Sequence, residues 1–200
     1  SDYAEDARTL SRVDRNPLEL NLQLWECLAF YAFRNAAVFE NMFFGDPTGR
    51  LYSQAVSEYF TQYPEDLMGL KDFMFDLFMN STIAERNLIL LERAEEKGMI
   101  TSESSQYLSK VDSLLYRGML ASLRGRDMDE AEIREATREF MQLIIRGYTL
   151  QLEEGYSILV VSPDFKASNS KQDEEARSSY RVKIAPVNIK KSKTAKPRAT

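Results

Sequence analysis

The groups that could carry chemistry in this chain are carboxylates, lysines, tyrosines, serines and metals bound by oxygen ligands, because the sequence contains no histidine and only one cysteine. That absence removes the Ser-His-Asp and Cys-His nucleophile systems, together with the zinc and di-iron sites that use histidine. Asp112, Glu92, Glu95 and Glu96 are the candidates for a carboxylate pair that could do acid–base chemistry. Acids at such spacings on helices usually form a solvated face. We therefore predict that the chain is not an enzyme and has no catalytic residue, metal site or cofactor.

Two further motifs have structural explanations. The segment 45–49, Gly-Asp-Pro-Thr-Gly, lacks the Lys-Ser/Thr pair of a phosphate-binding loop, so we predict a turn between helices. The single cysteine, Cys27, cannot form an intramolecular disulfide, which suits a reducing compartment. No apolar run approaches the roughly 20 residues that a bilayer crossing needs. These features predict a cytoplasmic protein without membrane contact.

Charge is divided unevenly along the chain. The formal net charge is −5, but residues 166–200 carry +7, which leaves −12 on residues 1–165. An acidic body repels nucleic acid phosphates and anionic lipids. The polar, basic composition after Pro163 predicts a disordered tail over 161–200. The alternation at 180–184 leaves a short strand as the alternative there, provided that a partner edge exists.

Prolines and glycines divide the body into helices. Asn16-Pro17 is typical of a helix start, and Gly98 and Gly125 are typical of helix ends. This punctuation allows a helix at 2–13 and predicts the helices 18–34, 36–44, 51–62, 67–79, 83–97, 106–124 and 130–154. Short connections make sequential helices antiparallel neighbours, so the predicted fold is an all-α antiparallel bundle of about seven helices.

The helix predicted at 18–34 is apolar on more than one face, which favours a central position. Glu19, Gln23, Glu26 and Arg34 form its only polar ridge. Nine of the eleven phenylalanines lie between residues 30 and 78. These aromatic side chains can fill a core, which is the simpler interpretation, or line a cavity for a small apolar ligand. Periodicity leaves both interpretations open.

Gly118 and Gly147 lie inside the two last long helices, where glycine costs about 1 kcal/mol relative to alanine. Their occurrence on consecutive amphipathic helices favours a close approach of helix surfaces. That approach can take place within one chain or between two copies.

Two parts of the sequence resemble the C-terminal domain of TetR-type bacterial transcriptional regulators. The first resembles the segment after the DNA-binding domain and reads NPLELNLQLWECLAFYAFRNAAVFENMFFGDP. The second is similar to the final two helices and reads ERAEEKGMITSESSQYLSKVDSLLYRGMLASLRG, followed by EIREATREFMQLIIRGY. The resemblance covers about residues 14–152. It implies an effector-binding and dimerisation domain at 16–160, preceded at 1–15 by a helix or linker from a helix-turn-helix domain that this sequence lacks.

In that family, an effector bound in the helical domain changes the separation of two DNA-reading heads and usually releases operator DNA. The resemblance implies a homodimer, a small hydrophobic effector, and operator contacts only through the missing domain, as in a repressor; activation stays open. The residues implied to face the effector are Trp25, Leu28, Tyr31, Tyr59, Phe73 and Phe78. Those implied to line the dimer interface are Leu108, Val111, Leu115, Gly118, Met119, Phe140, Ile144, Gly147 and Tyr148. The alternatives are a filled-core helical interaction domain without a ligand and a metal-independent helical enzyme.

Overall fold

The computed structural model describes residues 2–13, 15–68, 70–162 and 181–186, which form a helical bundle with one small sheet. The described helices are α1 (Asp2–Arg12), α2 (Pro17–Phe33), α3 (Ala36–Glu40), α4 (Arg50–Gln62), α5 (Asp72–Met79), α6 (Ile83–Glu96), α7 (Ser102–Leu123) and α8 (Glu130–Gln151). The described strands are β1 (Ile158–Val161) and β2 (Arg181–Ile184). The predicted all-α bundle is confirmed.

Helix α2 is the centre of the fold, as its apolar sequence predicts. The side chain of Asn16 accepts a hydrogen bond from the Leu18 N–H at 2.9 Å, which caps the helix. Pro17 occupies the first turn, where no backbone N–H is needed. Helices α1, α3, α6, α7 and α8 and strand β1 all contact α2, so almost all of its side chains are buried.

A two-stranded antiparallel sheet covers the polar ridge of α2. Gln23 Nε2 donates to the carbonyl of Val161 at 2.9 Å, and the N–H of Leu159 donates to Glu19 Oε1 at 2.8 Å. Glu26, on the same ridge, is also buried. Glu19 and Gln23 are therefore polar in part because they form hydrogen bonds with a strand.

Strand β2 belongs to the segment predicted to be a disordered tail. Ile184 pairs with Ile158 in the sheet, and both side chains are buried. Arg181–Ile184 therefore forms the short strand of the alternative prediction and not a disordered tail. Val161, at the start of the predicted tail, is the last residue of β1, and the tail prediction over 163–180 and 187–200 lies outside the described residues.

Between residues 36 and 79, two predicted helices differ from the observed elements. The helix expected over 67–79 begins only at Asp72, because Lys71 is extended (φ −69°, ψ 147°) and Pro64–Asp66 form a 3-10 turn. The short helix expected over 36–44 changes at Asn41–Gly45 into a single turn of π-helix, here called the π-turn. Such wider turns are frequent at functional sites. The segment 45–49 makes the expected turn, with Gly49 at φ +69°.

Helices α7 and α8 are the longest in the described residues, and both have side-chain caps. The Thr101 side chain accepts from the Ser104 N–H at 3.1 Å, and Asp129 and Glu132 form a reciprocal capping box. The Thr101 cap starts α7 one turn earlier than predicted. Among the helices of the described ranges, none combines the length and apolar content that spanning a bilayer requires.

Candidate functional site

A cavity of about 400 Å³ lies between α1, α2, α4 and the π-turn. Its wall is largely aromatic and aliphatic, with Leu28 and Tyr31 from α2, Met42 and Phe43 from the π-turn, and Phe78 from α5. Pockets of roughly 300–1,000 Å³ with such linings are typical of small-molecule sites. The space is therefore large enough for a ligand and not only for water.

Helix α4 forms one wall of this cavity with a single face. Tyr52, Val56, Tyr59 and Phe60 follow the three- and four-residue spacing that places side chains on one side of a helix. Ala55 also lines the cavity and is solvent-exposed, as are Asp2 and Asn35. The cavity thus extends from the surface to the interior of the bundle.

A buried arginine stands at the inner wall. Arg86, on α6, is only 5% exposed. Its Nη1 donates to the Tyr52 hydroxyl at 2.6 Å, and its Nη2 donates to the Tyr3 hydroxyl at 3.3 Å. The guanidinium carbon also lies 5.2 Å from the ring centre of Phe43, within the range of a cation–π contact.

The charge of Arg86 has no acidic partner in the part of the chain that the structure describes. None of the ion pairs between described residues includes it. Burial raises the pKa of Tyr3 and of Tyr52, against the opposing effect of Arg86, so both phenols stay neutral. Since arginine remains protonated in proteins, this cluster carries one positive charge beside an apolar cavity.

Four of the six residues predicted to face an effector line the cavity: Leu28, Tyr31, Tyr59 and Phe78. Trp25 and Phe73 do not. Trp25 borders a neighbouring void of only about 30 Å³, room for a water molecule. Phe73 is buried under the guanidinium of Arg93, which lies 4.4 Å from its ring centre.

Trp25 belongs instead to a buried polar network. Its Nε1 donates to Asn87 Oδ1 at 3.0 Å, and Asn21 Nδ2 donates to the same oxygen at 2.8 Å. Asn87 Nδ2 donates to Asp112 Oδ2 at 2.9 Å, and the Tyr148 hydroxyl donates to that carboxylate at 3.2 Å. Hydrogen bonds therefore join α2, α6, α7 and α8 beside the cavity.

The solvated-face interpretation is wrong for Asp112, which is 1% exposed. Burial raises the pKa of its carboxyl to about 7, although the hydrogen bonds from Asn87 and Tyr148 act in the opposite direction. Glu92 and Glu96 are exposed, as expected. Glu95 accepts a hydrogen bond from Ser105 Oγ at 3.2 Å. Because Asp112 is buried and Glu92 and Glu96 face solvent, the four acids do not form one site. Among the described residues, no three acids or thiols converge as metal ligands do.

The residues predicted to line a dimer interface divide into two groups. Leu108, Phe140, Ile144 and Tyr148 are at most 1% exposed in the single chain, so the predicted contact with a second chain is wrong for these four. They instead pack inside the bundle, because the amphipathic stripe of each helix is covered by its own neighbours. Those that are partly or fully exposed are Val111, Leu115, Gly118, Met119 and Gly147.

Sequence reasoning missed Arg86, although α6 carries a signal. The buried stripe of this helix includes Ile83, Leu90 and Ala94, and Arg86 and Asn87 occupy positions of the same stripe. Polar residues at core-facing positions are seldom tolerated without a partner or a function. That interruption points to both the arginine cluster and the network of Asn87.

No protein-family model, curated protein or solved structure matches this chain.

Proposed function

We propose that the chain is the effector-binding and dimerisation domain of a TetR-like bacterial transcriptional regulator. A small, largely apolar effector would occupy the cavity of about 400 Å³, which is the observation that supports this proposal most. Protein interiors are otherwise packed as densely as organic crystals. A filled-core interaction domain needs no such space, although the interior beside Trp25, with a void of only about 30 Å³, agrees with that alternative.

In this proposal, helix α1 would link the cavity to a DNA-binding domain. Tyr3 lines the cavity and accepts a hydrogen bond from Arg86. The same helix is held by the Tyr31 hydroxyl, which donates to Asp6 at 2.6 Å, and by the ion pair of Arg8 with Asp66 at 2.7 Å. A ligand that favours one position of Tyr3 would favour one position of α1, and the coupling would equal its differential affinity for the two arrangements.

A surface on α7 and α8, here called the α7–α8 face, supports the homodimer proposal. Gly147 approaches Leu108 between the two helices, since a Cβ added at Gly147 would lie 3.4 Å from Leu108 Cδ2. Apolar side chains with 44–68% exposure flank this contact and are Tyr107, Leu114, Leu143 and Leu150. Exposed apolar side chains on two adjacent helices are what a symmetric four-helix interface uses.

Native mass spectrometry of the protein purified from its own host tests both parts of the proposal. The expected spectrum shows the mass of two chains together with a retained small molecule. A Val56→Trp variant, which fills the cavity, should keep the dimer and lose the small molecule. A wild-type spectrum of a single chain without any adduct would contradict the proposal.

A further inference from the structure

We infer that the cavity takes an amphipathic acid, a molecule with an apolar body and one carboxylate, and that Arg86 binds the carboxylate. This inference rests on the proposed function, since it names the chemical class of the effector. Its basis is the unpaired buried charge at the end of an apolar space.

The cost of burying Arg86 is only partly offset within the described chain. A guanidinium has five N–H donors, and Tyr52 and Tyr3 accept two hydrogen bonds from it. Both acceptors are neutral hydroxyls, and no described carboxylate forms an ion pair with the group. Buried charges are normally paired, so this arrangement leaves a place for an anion.

The position of Arg86 defines the polarity of the ligand. Arg86 lies on the buried stripe of α6, whereas the exposed lining residues Asp2 and Ala55 mark the surface end of the cavity. Between these ends the wall consists mainly of Leu28, Met42 and aromatic rings. A ligand that fits this cavity therefore places its charged group next to Arg86 and packs its apolar body against the aromatic wall.

A carboxylate fits this position better than other charged groups. The planar guanidinium presents parallel N–H donors that match the two oxygens of a carboxylate. An ammonium group would be repelled by Arg86, and a hydroxyl would gain only a neutral hydrogen bond. The site should therefore distinguish molecules of the same length by their head group.

Isothermal titration calorimetry of the wild-type chain with decanoate, decan-1-ol and decylammonium tests the inference without any mutation. Because hydrogen bonds to charged groups are about twice as strong as neutral ones, decanoate should bind at least about tenfold more tightly than decan-1-ol. Decylammonium should bind more weakly than either. Equal binding of decanoate and decan-1-ol would overturn the inference and leave the proposed function standing, whereas no binding of either would contradict the proposed function itself.

Two substitutions on the same helix provide a matched comparison. In Arg86→Met, the preference for decanoate over decan-1-ol should disappear, while decan-1-ol still binds. In Arg93→Met, the preference should remain, because Arg93 contacts Phe73 outside the cavity. If Arg86→Met fails to fold, Arg86→Lys keeps the charge and should retain part of the preference. Loss of the preference in Arg93→Met, or its persistence in Arg86→Met, would overturn the assignment.

Discussion

The hydroxyl of Tyr52 accepts a hydrogen bond from Arg86 Nη1 at 2.6 Å and donates one to the carbonyl of Phe78 at 2.6 Å. This one group joins α4, α5 and α6 at the inner wall of the cavity. It holds the guanidinium in place and, at the same time, satisfies a carbonyl in the last turn of α5. The same contacts that shape the cavity therefore also contribute to the stability of the fold.

Replacing Tyr52 by Phe should lower the free energy of unfolding by about 1–3 kcal/mol. The substitution keeps the ring but removes an acceptor for a charged donor and a donor to a buried carbonyl. Chemical denaturation measures the change. Tyr63→Phe is the matched control, because Tyr63 is 39% exposed and lies outside the cavity, and its effect should stay within about 0.5 kcal/mol. Equal effects of the two substitutions would show that the Tyr52 hydroxyl has no structural role.

Filling the cavity should abolish ligand binding with little loss of stability. In Val56→Trp the new ring would occupy space that is now empty, so we expect decan-1-ol to bind at least about tenfold more weakly, with the free energy of unfolding within about 1 kcal/mol of wild type. Calorimetric titration and denaturation measure the two quantities. Val38→Trp is the control, since Val38 is 62% exposed and lies outside the cavity. Undiminished binding to Val56→Trp would place the ligand elsewhere.

The buried carboxyl of Asp112 should make stability depend on pH. Its pKa is about 7 in the folded chain and about 3.9 in an unfolded one, so the folded state keeps a proton that the unfolded state releases between these values. This contribution is fully present below about pH 4. It is lost as pH rises towards 7, at up to about 1.4 kcal/mol per pH unit, and does not change further above that.

Asp112→Asn resembles the protonated acid and should remove this slope. The difference in unfolding free energy between wild type and Asp112→Asn, measured by denaturation from pH 4 to 8, isolates the contribution from those of other acids. The exposed Asp127→Asn serves as the control and should follow wild type across the range. A difference that is constant with pH would contradict a raised pKa for Asp112.

Charge on the α7–α8 face should dissociate the proposed dimer. Leu114 is 68% exposed on α7, so Leu114→Glu should leave the fold intact and shift the protein from dimer to monomer at micromolar concentration. Gly118→Leu should also leave the fold intact, because nothing lies within 4 Å of a Cβ added at Gly118 in the single chain. It should weaken the dimer, because a larger side chain would keep two closely packed helices apart. Light scattering reports the mass. Leu51→Glu is the control, since Leu51 is 54% exposed on α4.

A wild-type monomer at this concentration would rule out the dimer. A dimer that survives both Leu114→Glu and Gly118→Leu would place the interface on another surface. If Leu51→Glu dissociated the chains instead, the interface would lie on α4.

The sequence predicts well those features that depend on local signals. The Asn16-Pro17 pair marks the start of α2, and the apolar residues on its several faces place it at the centre, as observed. Prediction from the sequence fails where a segment distant in the chain determines the environment of a side chain. Nothing in the local sequence around Glu19 and Gln23 shows that β1, about 140 residues later, forms hydrogen bonds with both side chains.

The same limit applies to the candidate site. Helical spacing identifies the buried stripes that contain Leu108 and Ile144, but it does not say whether the same chain or a second chain covers them. Tyr59 and Phe78 are recognisable as aromatic side chains, whereas the empty space beside them depends on how α1, α2 and α4 pack together. Arg86 is recognisable only as an interruption of an apolar stripe.

The central claim is that the cavity binds a small apolar molecule, and the methyl group of Met42 reports on it most directly. Met42 lines the cavity, whereas Met99 and Met141 are buried outside it and Met68 is 75% exposed. Nuclear magnetic resonance of the chain labelled with ¹³C-methyl methionine, titrated with decan-1-ol, measures all four signals in one experiment. We predict a saturable shift of the Met42 signal, with those of Met99, Met141 and Met68 nearly unchanged. An unchanged Met42 signal, or a larger shift at the exposed Met68, would contradict the account.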